Sequence, residues 1–388
     1  MQDLTVSRCG ASPRMERVLE ALSKASGIRH QASGDAGHNL PCSQGHNSPG
    51  DCCVFQHRCG SYTDATGILK QGTGLKAGGG VPSGLLLFAV SVDALGASEE
   101  YIKLLRWVRA GEFSGCLAGV IVVGETELDT KALGRELIFH LDRAGCAFPE
   151  RPLVEATGSM RNLRITQKNL GLATPEEALL AAARALVERM RSFAPPRFEA
   201  PRLLVLHASD HKTSNTLCLG DMVLEALDPR FRVQTLSLRN GTIEDCRGCS
   251  FKVCSHYANK GSCFYGGSIA QEVLPAVRDC DALLLLLPNY NDSVGANIMA
   301  FINRLTSLHV NNELSGRRLY AVVVSGYSGG ELVATQAMGA LCLNKSFLLP
   351  PGFCMLETAN DPGEIRQQPG IRERAAAFAR RLGADMLS

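Results

Sequence analysis

Residues 281–287 read Asp-Ala-Leu-Leu-Leu-Leu-Leu and contain the strongest apolar run of the chain. A short strand that is apolar on both faces is typical of the centre of a parallel sheet, where helices cover both sides. The run is far shorter than a helix that crosses a bilayer. It therefore predicts the central strand of an α/β domain.

Strands and helices alternate on both sides of this run. Further strands are predicted at Arg202–His207, Phe231–Leu238, Leu319–Ser325 and Phe353–Glu357. Helices are predicted at Asn215–Leu227, Ser268–Arg278, Gly295–Leu308, from Glu331 onward and at Ile371–Met386. This alternation implies a doubly wound parallel sheet with right-handed crossovers.

The first half of the chain repeats this pattern at an offset near two hundred residues. Gly84–Val90 matches Leu283–Pro288, Val120–Gly124 matches Val322–Gly326, and Leu153–Glu155 matches Met355–Glu357. Three matches in the same order favour a tandem duplication. The predicted organisation is a first domain at 1–193 with a loop-rich stretch at 31–80, a proline-rich linker at 194–201, and a second domain at 202–388.

The composition of the chain limits the classes of function that it favours. The net charge of +2 is nearly balanced and no basic stripe occurs, so nothing favours nucleic acid or an anionic membrane. The N-terminus lacks the layout of a signal peptide, and we expect a cytoplasmic protein. The 15 cysteines are an odd number, which favours reduced thiols, metal sites or clusters over disulfides.

Three loops follow predicted strands at the edge where doubly wound sheets bind ligands. The first, after Arg202–His207, offers hydroxyls, a lysine and helix N-terminal amides suited to a phosphate. The second holds an aromatic ring and amides, and the third is rich in glycine. The alternatives are an ordinary polar helix cap and ordinary turns. The candidate residues are Ser209, Lys212, Ser214, Asn215, Thr216, Pro288, Asn289, Tyr290, Asn291, Asp292, Ser293, Ser325, Gly326, Tyr327 and Gly329.

These motifs resemble those of flavodoxin-like, NADPH-dependent FMN reductases, in particular the iron–sulfur flavoprotein branch. Residues 208–216 stand where the family has its G-S-P-R-x-x-G-N-T loop, and Pro288-Asn-Tyr-Asn291 is similar to its P-x-Y-[WF] loop. The resemblance implies two five-stranded sheets of order 2-1-3-4-5, the first degenerate. It also implies that Ser209, Asn215 and Thr216 hold the FMN phosphate, and that 288–293 and 325–329 border the flavin ring.

Four cysteines lie between the second and third predicted strands of the second domain, at Cys246, Cys249, Cys254 and Cys263. The resembled branch has a compact cysteine cluster there. Four thiolates close in sequence suit a [4Fe–4S] cluster or, as the lesser option, a tetrahedral Zn²⁺. Free cysteines left from an ancestral site are the alternative.

The first half departs from these patterns. Cys9–Arg14 resembles a remnant of the phosphate loop, while acidic residues follow the later strands at Asp93, Glu125 and Glu127. Acidic groups there repel a phosphate, so we expect no FMN in this half. Several further residues could ligate a metal but match no strong signature: Cys42, His46, Cys52, Cys53, His57 and Cys59.

The predicted function is an FMN-dependent NAD(P)H oxidoreductase that passes electrons to an unknown small-molecule or protein acceptor. The flavin carries the chemistry, so no catalytic side chain is named. One alternative is an electron-transfer flavoprotein reduced by a ferredoxin-like partner. Another is a non-catalytic binding protein with a decayed flavin site. Because family relatives pair as dimers, we expect the two halves to form an internal pseudo-dimer.

Overall fold

The computed structural model describes residues 4–26, 84–209, 211, 213–239, 241–260 and 262–388. Its strands form two parallel sheets, which confirms the α/β class. The first sheet has the order β1-β2-β3-β4, and the second has the order β6-β5-β7-β8-β9, which is 2-1-3-4-5 within that half. The strands are β1 (Leu4–Cys9), β2 (Gly84–Val92), β3 (Cys116–Gly124), β4 (Leu153–Ala156), β5 (Arg202–His207), β6 (Arg232–Ser237), β7 (Ala282–Pro288), β8 (Arg318–Ser325) and β9 (Cys354–Thr358).

The first sheet has four strands within the described residues, one fewer than the five expected. Its strands pair in parallel from β1 to β4 without a strand on the outer side of β1 in the described part of the chain. The predicted loop-rich stretch at 31–80 lies outside the described residues, as do the cysteines and histidines from Cys42 to Cys59. The strands of the first half that have counterparts in the second half are therefore the four described ones.

Twelve α-helices occur in the described ranges. They are α1 (Pro13–Ser26), α2 (Glu99–Ala110), α3 (Thr130–Arg143), α4 (Arg164–Leu170), α5 (Pro175–Arg191), α6 (Asn215–Glu225), α7 (Phe251–Ala258), α8 (Leu274–Asp279), α9 (Ala296–Arg304), α10 (Thr306–Val310), α11 (Gly330–Met338) and α12 (Ile371–Met386). Short 3₁₀-helices lie at Arg161–Leu163 and Glu364–Gln367, and π-helical turns at Ile269–Val273 and Gly339–Leu343. Among these residues, no helix has the length and apolar character to span a bilayer.

Two predicted helices differ from the structure. Gly295–Leu308 was expected as one helix but forms α9 and α10, which are separated at Leu305. Ser268–Arg278 begins with a π-helical turn at Ile269–Val273 before α8. The first break follows Arg304, whose side chain binds backbone carbonyls distant in sequence. Local periodicity carries no information on such contacts.

The central strands are buried on both faces, as the leucine run predicts. Every residue of β8 is buried, and every residue of β7 except Pro288. Leu283, Leu285 and Leu287 pack on one side of the sheet, and Leu284 and Leu286 pack on the other. A fully buried leucine contributes about 1.5–3 kcal/mol, so this strand is a major source of the stability of the second half.

The two halves share one hydrophobic core. The buried cluster that contains β7 leucines also contains Val120 and Phe139 of the first half. Phe148 and Leu349 exchange backbone hydrogen bonds as an antiparallel pair at 2.9 and 3.3 Å. The Glu150 carboxylate accepts hydrogen bonds from Ser315 Oγ and Gly316 N at 2.6 and 2.7 Å. Backbone pairing and apolar packing therefore join the halves.

A buried carboxyl lies at this junction. Asp142, at the end of α3, is 1 % exposed. Its Oδ1 accepts a hydrogen bond from Phe353 N at 3.2 Å, and its Oδ2 is buried without a hydrogen-bond partner. Burial raises the pKa of Asp142 well above its ordinary value, against the smaller effects of the Phe353 N–H and the nearby Arg143 and Arg381. The surroundings of the carboxyl therefore favour its uncharged form.

Replacing Asp142 with Asn tests this state. The folded-state pKa lies above the unfolded value of about 3.9, so wild-type stability is full below that value and falls as pH rises through the folded-state pKa. Asp142→Asn cannot ionise, and we expect it to be more stable than wild type at pH 8 by roughly 1 kcal/mol or more, with the gain shrinking at acid pH. Denaturant unfolding across this pH range measures the difference.

The exposed Asp221→Asn is the matched control and should show no such trend. A pH-independent difference between Asp142→Asn and wild type would contradict a raised pKa of Asp142.

Candidate functional site

Three loops lie side by side at one edge of the second sheet. They follow β5, β7 and β8, which are adjacent strands in the sheet. Parallel strands place their carboxyl ends at the same edge, and doubly wound sheets bind ligands there. The structure thus brings the candidate residues of 209–216, 288–293 and 325–329 to one edge.

The first loop leads into α6. Ser214 caps this helix, since its Oγ accepts a hydrogen bond from Leu217 N at 3.4 Å. The backbone N–H groups of Asn215 and Thr216 have no hydrogen-bond partner in the described part of the chain. Free N–H groups at a helix N-terminus attract an anion. This end of α6 therefore fits a phosphate group.

The side chains of this loop have different surroundings. Ser209 is half-buried beside the end of β5, whereas Lys212 lies outside the described residues. Thr216 is only 3 % exposed. The Asn215 amide donates hydrogen bonds to the carbonyls of Ala359 and Asp361 at 3.2 and 2.9 Å. It thus joins the loop after β5 to the loop after β9, and its backbone N–H remains for a ligand.

The second loop is a tight turn after β7. Asn291 and Asp292 both have φ of 54°, the region used by the two central residues of a type I′ turn. Ser293 N donates to Tyr290 O at 3.3 Å and closes the turn. Gln336 of α11 then fixes it, because its Oε1 accepts hydrogen bonds from Val294 N at 2.7 Å and from the Ser293 hydroxyl at 3.3 Å.

The third loop depends on a close approach between loops. Gly329 has φ of 80°, and a Cβ there would lie 1.9 Å from Asp292 Oδ1. Asn289 connects the same loops, since its Nδ2 donates to Ser328 O at 2.9 Å and to Asp292 Oδ1 at 3.1 Å. Ser325 is buried at the end of β8. The second and third loops therefore form one surface.

Two exposed tyrosines lie on this surface. Tyr290 is 67 % exposed and Tyr327 is 81 % exposed. Large aromatic side chains are usually buried, and exposed ones at a ligand edge are candidates for contact with a flat ring. With the α6 terminus nearby on the same edge, the residues present fit a molecule that has both a planar ring and a phosphate, as FMN does.

The four candidate cysteines line a single pocket of about 240 Å³. Cys246 is exposed, and Cys249, Cys254 and Cys263 are partly exposed. Burial raises the pKa of Cys254, and the neighbouring thiols of Cys249, Cys246 and Cys263 raise it further. In the described ranges, no three His, Cys, Asp or Glu residues are close enough together to hold one metal ion.

Arg304 anchors the segment that carries these cysteines. It is 3 % exposed, and its guanidinium donates hydrogen bonds to the carbonyls of Glu244 and Gly266, which flank the four cysteines in sequence. Its Nε is buried without a hydrogen-bond partner. The neighbouring Asn303 donates to Asp245 Oδ1 at 3.0 Å. Helix α9, which follows the second loop, thus also holds the cysteine segment.

Two features of this pocket were not predicted from the sequence. Helix α7 lies between Cys249 and Cys263 and was not predicted. Arg304 was not singled out either, although it lies between Phe301 and Leu305 on the apolar face of an amphipathic helix, where the fold must satisfy its charge. That periodicity is the signal that could have identified it.

The corresponding edge of the first half is filled by a side chain. Arg14 donates hydrogen bonds to the carbonyls of Gly124, Thr157 and Gly158 at 3.1, 3.1 and 3.2 Å. A Cβ at Gly158 would lie 2.3 Å from Glu125 O, so the loops after β3 and β4 are in close contact. Arg14 therefore ties the start of α1 to the loops after β3 and β4.

Comparison with known proteins gives a family match within the second half of the chain. Residues 201–361 match the NADPH-dependent FMN reductase family. The match indicates an NAD(P)H-dependent FMN oxidoreductase, and it includes all three loops and all four pocket cysteines. No curated protein matches the chain.

Solved structures with a similar fold include two reductases. An FMN-dependent NADH-azoreductase from Bacillus anthracis is 14% identical, covers 47% of this chain and 99% of its own, and has a TM-score of 0.32. An NAD(P)H:quinone oxidoreductase from Methanothermobacter marburgensis is 11% identical, covers 48% of this chain and 95% of its own, and has a TM-score of 0.36.

Gly329→Ala tests the contact between the second and third loops. The new methyl group collides with Asp292 and must displace the loop that holds Tyr290. We expect FMN affinity to fall by roughly tenfold or more, because overpacking costs typically 1–3 kcal/mol. Fluorescence titration of the protein with FMN measures this.

Gly171→Ala is the control, because Gly171 also has a positive φ of 63° but a Cβ there meets nothing within 4 Å. Equal FMN affinities for the two variants would show that the collision with Asp292 is irrelevant to binding.

Proposed function

We propose that the second half of the chain binds FMN and transfers electrons from NAD(P)H to an acceptor. The observation that carries this proposal is that the family match at 201–361 includes three loops that meet at one edge of the sheet. In such proteins the protein supplies binding, orientation and electrostatics. When bound, FMN supplies the redox chemistry, accepting a hydride from NAD(P)H and passing electrons onward.

The side chains and amides have distinct roles in this proposal. Ser209 and the N-terminal amides of α6 bind the phosphate, with Ser214 and Asn215 holding the loop in place. Residues 288–293 and 325–329 border the ring, and the exposed Tyr290 and Tyr327 exclude water from it. Lys212 adds positive charge from the same loop.

We further propose that Cys246, Cys249, Cys254 and Cys263 hold a [4Fe–4S] cluster. Support comes from their shared pocket and from Arg304, which fixes both ends of their segment. The described thiols are too far apart to surround one ion. The cluster would relay electrons between the flavin and the acceptor.

The first half is proposed to be a flavin-free partner of the second, so that one chain forms an internal pseudo-dimer. The shared core and the Phe148–Leu349 pair support this. Strand positions support the tandem duplication. In the first sheet β2 lies between β1 and β3, and in the second sheet β7 lies between β5 and β8, so the two strands have the same place in their halves. Arg14 supports the absence of flavin from the first half.

A second candidate function is an electron carrier that exchanges electrons with a protein partner instead of NAD(P)H. The partly exposed cysteines favour this reading, because an electron-transfer centre near the surface is accessible to another protein.

The visible spectrum of anaerobically purified protein tests the flavin proposal. We expect about one FMN per chain, with flavin bands that bleach when NADPH is added. Tyr290→Ala should weaken FMN binding by roughly tenfold, because stacking on an aromatic ring contributes about 0.5–1.5 kcal/mol beyond its buried area. The exposed Leu95→Ala, in the first half, is the control.

Flavin bands that persist with NADPH but bleach with a protein reductant would favour the second candidate function. A protein that takes up no FMN would reject both.

Iron and sulfide analysis tests the cluster. Cys249→Ala should lose the iron and the broad visible absorbance while retaining FMN, because it removes one of four ligands. Cys354→Ala, which lies in β9 and does not line the pocket, should retain both. Wild-type protein that contains flavin but no iron would reject the cluster and leave the flavin proposal intact.

A further inference from the structure

A half-buried lysine from a distant part of the chain contacts a residue that lines the four-cysteine pocket. Lys345 follows the π-helical turn at Gly339–Leu343, near the junction of the two halves. Its Nζ donates a hydrogen bond to Thr306 Oγ1 at 2.8 Å, and Thr306 lines the pocket with the four cysteines. The Lys345 carbonyl lies 3.3 Å from His309 Nδ1. Both ends of the residue are therefore fixed.

This ammonium group has no carboxylate partner. In the described part of the chain, no Asp or Glu oxygen lies within 4 Å of Lys345 Nζ. Burial lowers the pKa of Lys345, and the only opposing groups are the thiols of Cys254 and Cys246. A buried charge is unfavourable unless an opposite charge compensates it. The nearby source of negative charge is the cysteine pocket.

A buried cation, Arg304, lines the pocket itself. Among the described residues, Arg304 binds carbonyls and its Nε has no hydrogen-bond partner. A buried and a half-buried cation without carboxylate partners beside four neutral thiols would be electrostatically costly. The same two cations beside thiolates are compensated. The electrostatics of the pocket thus indicate an occupant with net negative charge.

The backbone that positions Lys345 is strained. The next residue, Ser346, has φ of 76° although it is not glycine, and its buried hydroxyl has no hydrogen-bond partner. The π-helical turn directly precedes this segment. Strained residues and π-helical turns concentrate at functional sites, where the surrounding structure maintains them. Both features lie where they set the direction of the Lys345 side chain.

We propose that Lys345 is a charge-compensating residue for an anionic, thiolate-bound cluster in the four-cysteine pocket, and that it raises the reduction potential of that cluster. The inference rests on the cluster proposed above. Four thiolates give an iron–sulfur cluster a net negative charge, and adding an electron increases it. A fixed cation favours the more negative, reduced form, so its removal makes reduction harder.

The test compares Lys345→Met, which removes the charge at similar volume, with Lys345→Arg, which retains it. Lys168→Met, at an exposed position on α4, is the control. The proteins are purified anaerobically, loaded with iron and sulfide, and reduced stepwise with dithionite while the cluster absorbance is recorded. Cluster loss to an iron chelator and thermal unfolding of the cluster-free proteins are measured in parallel.

We expect Lys345→Met to shift the cluster potential to more negative values and to lose iron to the chelator more than about tenfold faster, since a nearby unit charge at an effective dielectric of ~20 changes an equilibrium by that factor. Lys345→Arg and Lys168→Met should match wild type. Without the cluster, Lys345→Met should be at least as stable as wild type, because an uncompensated buried charge has been removed.

A loaded Lys345→Met protein with the wild-type potential would overturn the inference while leaving the cluster in place. So would a cluster-free Lys345→Met protein that is much less stable than wild type, because Lys345 would then be a structural residue bound to Thr306. Wild-type protein that cannot be loaded with iron would overturn the cluster and this inference together, whereas the flavin proposal is tested separately by its own spectrum.

Discussion

The burial of β7 on both faces is the constraint on which the rest of the C-terminal half depends. A strand that must be covered on both sides requires helices on both sides, and its parallel neighbours β5 and β8 then end at the same edge. Three polar loops meet there because the strands that precede them are parallel. The site is thus a consequence of the sheet, and the loops supply only its chemistry.

The large apolar interface between the halves tolerates a buried polar group whose hydrogen bonds are incomplete. Asp142 is buried there with one oxygen that has no hydrogen-bond partner among the described residues, and burial raises its pKa. Around it, the Phe148–Leu349 backbone pair and the shared core supply favourable contacts. The polar segment that carries the cysteines is held in a different way, by the carbonyl contacts of Arg304.

Local patterns predicted the features that local physics determines. The leucine run, the alternation of strands and helices, and α12 at Ile371–Met386 were all readable, because hydrophobic periodicity reports burial. The division of the predicted helix 295–308 at Leu305 could not be read from the sequence. It accompanies contacts between Arg304 and residues about forty to sixty positions away. Asn215 was predicted to hold the FMN phosphate. Its side-chain amide also binds carbonyls more than 140 residues away, a contact that no local pattern indicated. Lys345 had no local signal.

Because the two halves belong to one polypeptide, their contact does not depend on protein concentration, unlike that of separate subunits. A covalent connection also removes a constraint that symmetry imposes. In a homodimer every substitution occurs twice, and a side chain that closes one site closes the other. Here Arg14 forms hydrogen bonds with the loops after β3 and β4 in the first half. The loops after β5, β7 and β8 in the second half have different residues. Each half can therefore accumulate substitutions independently of the other.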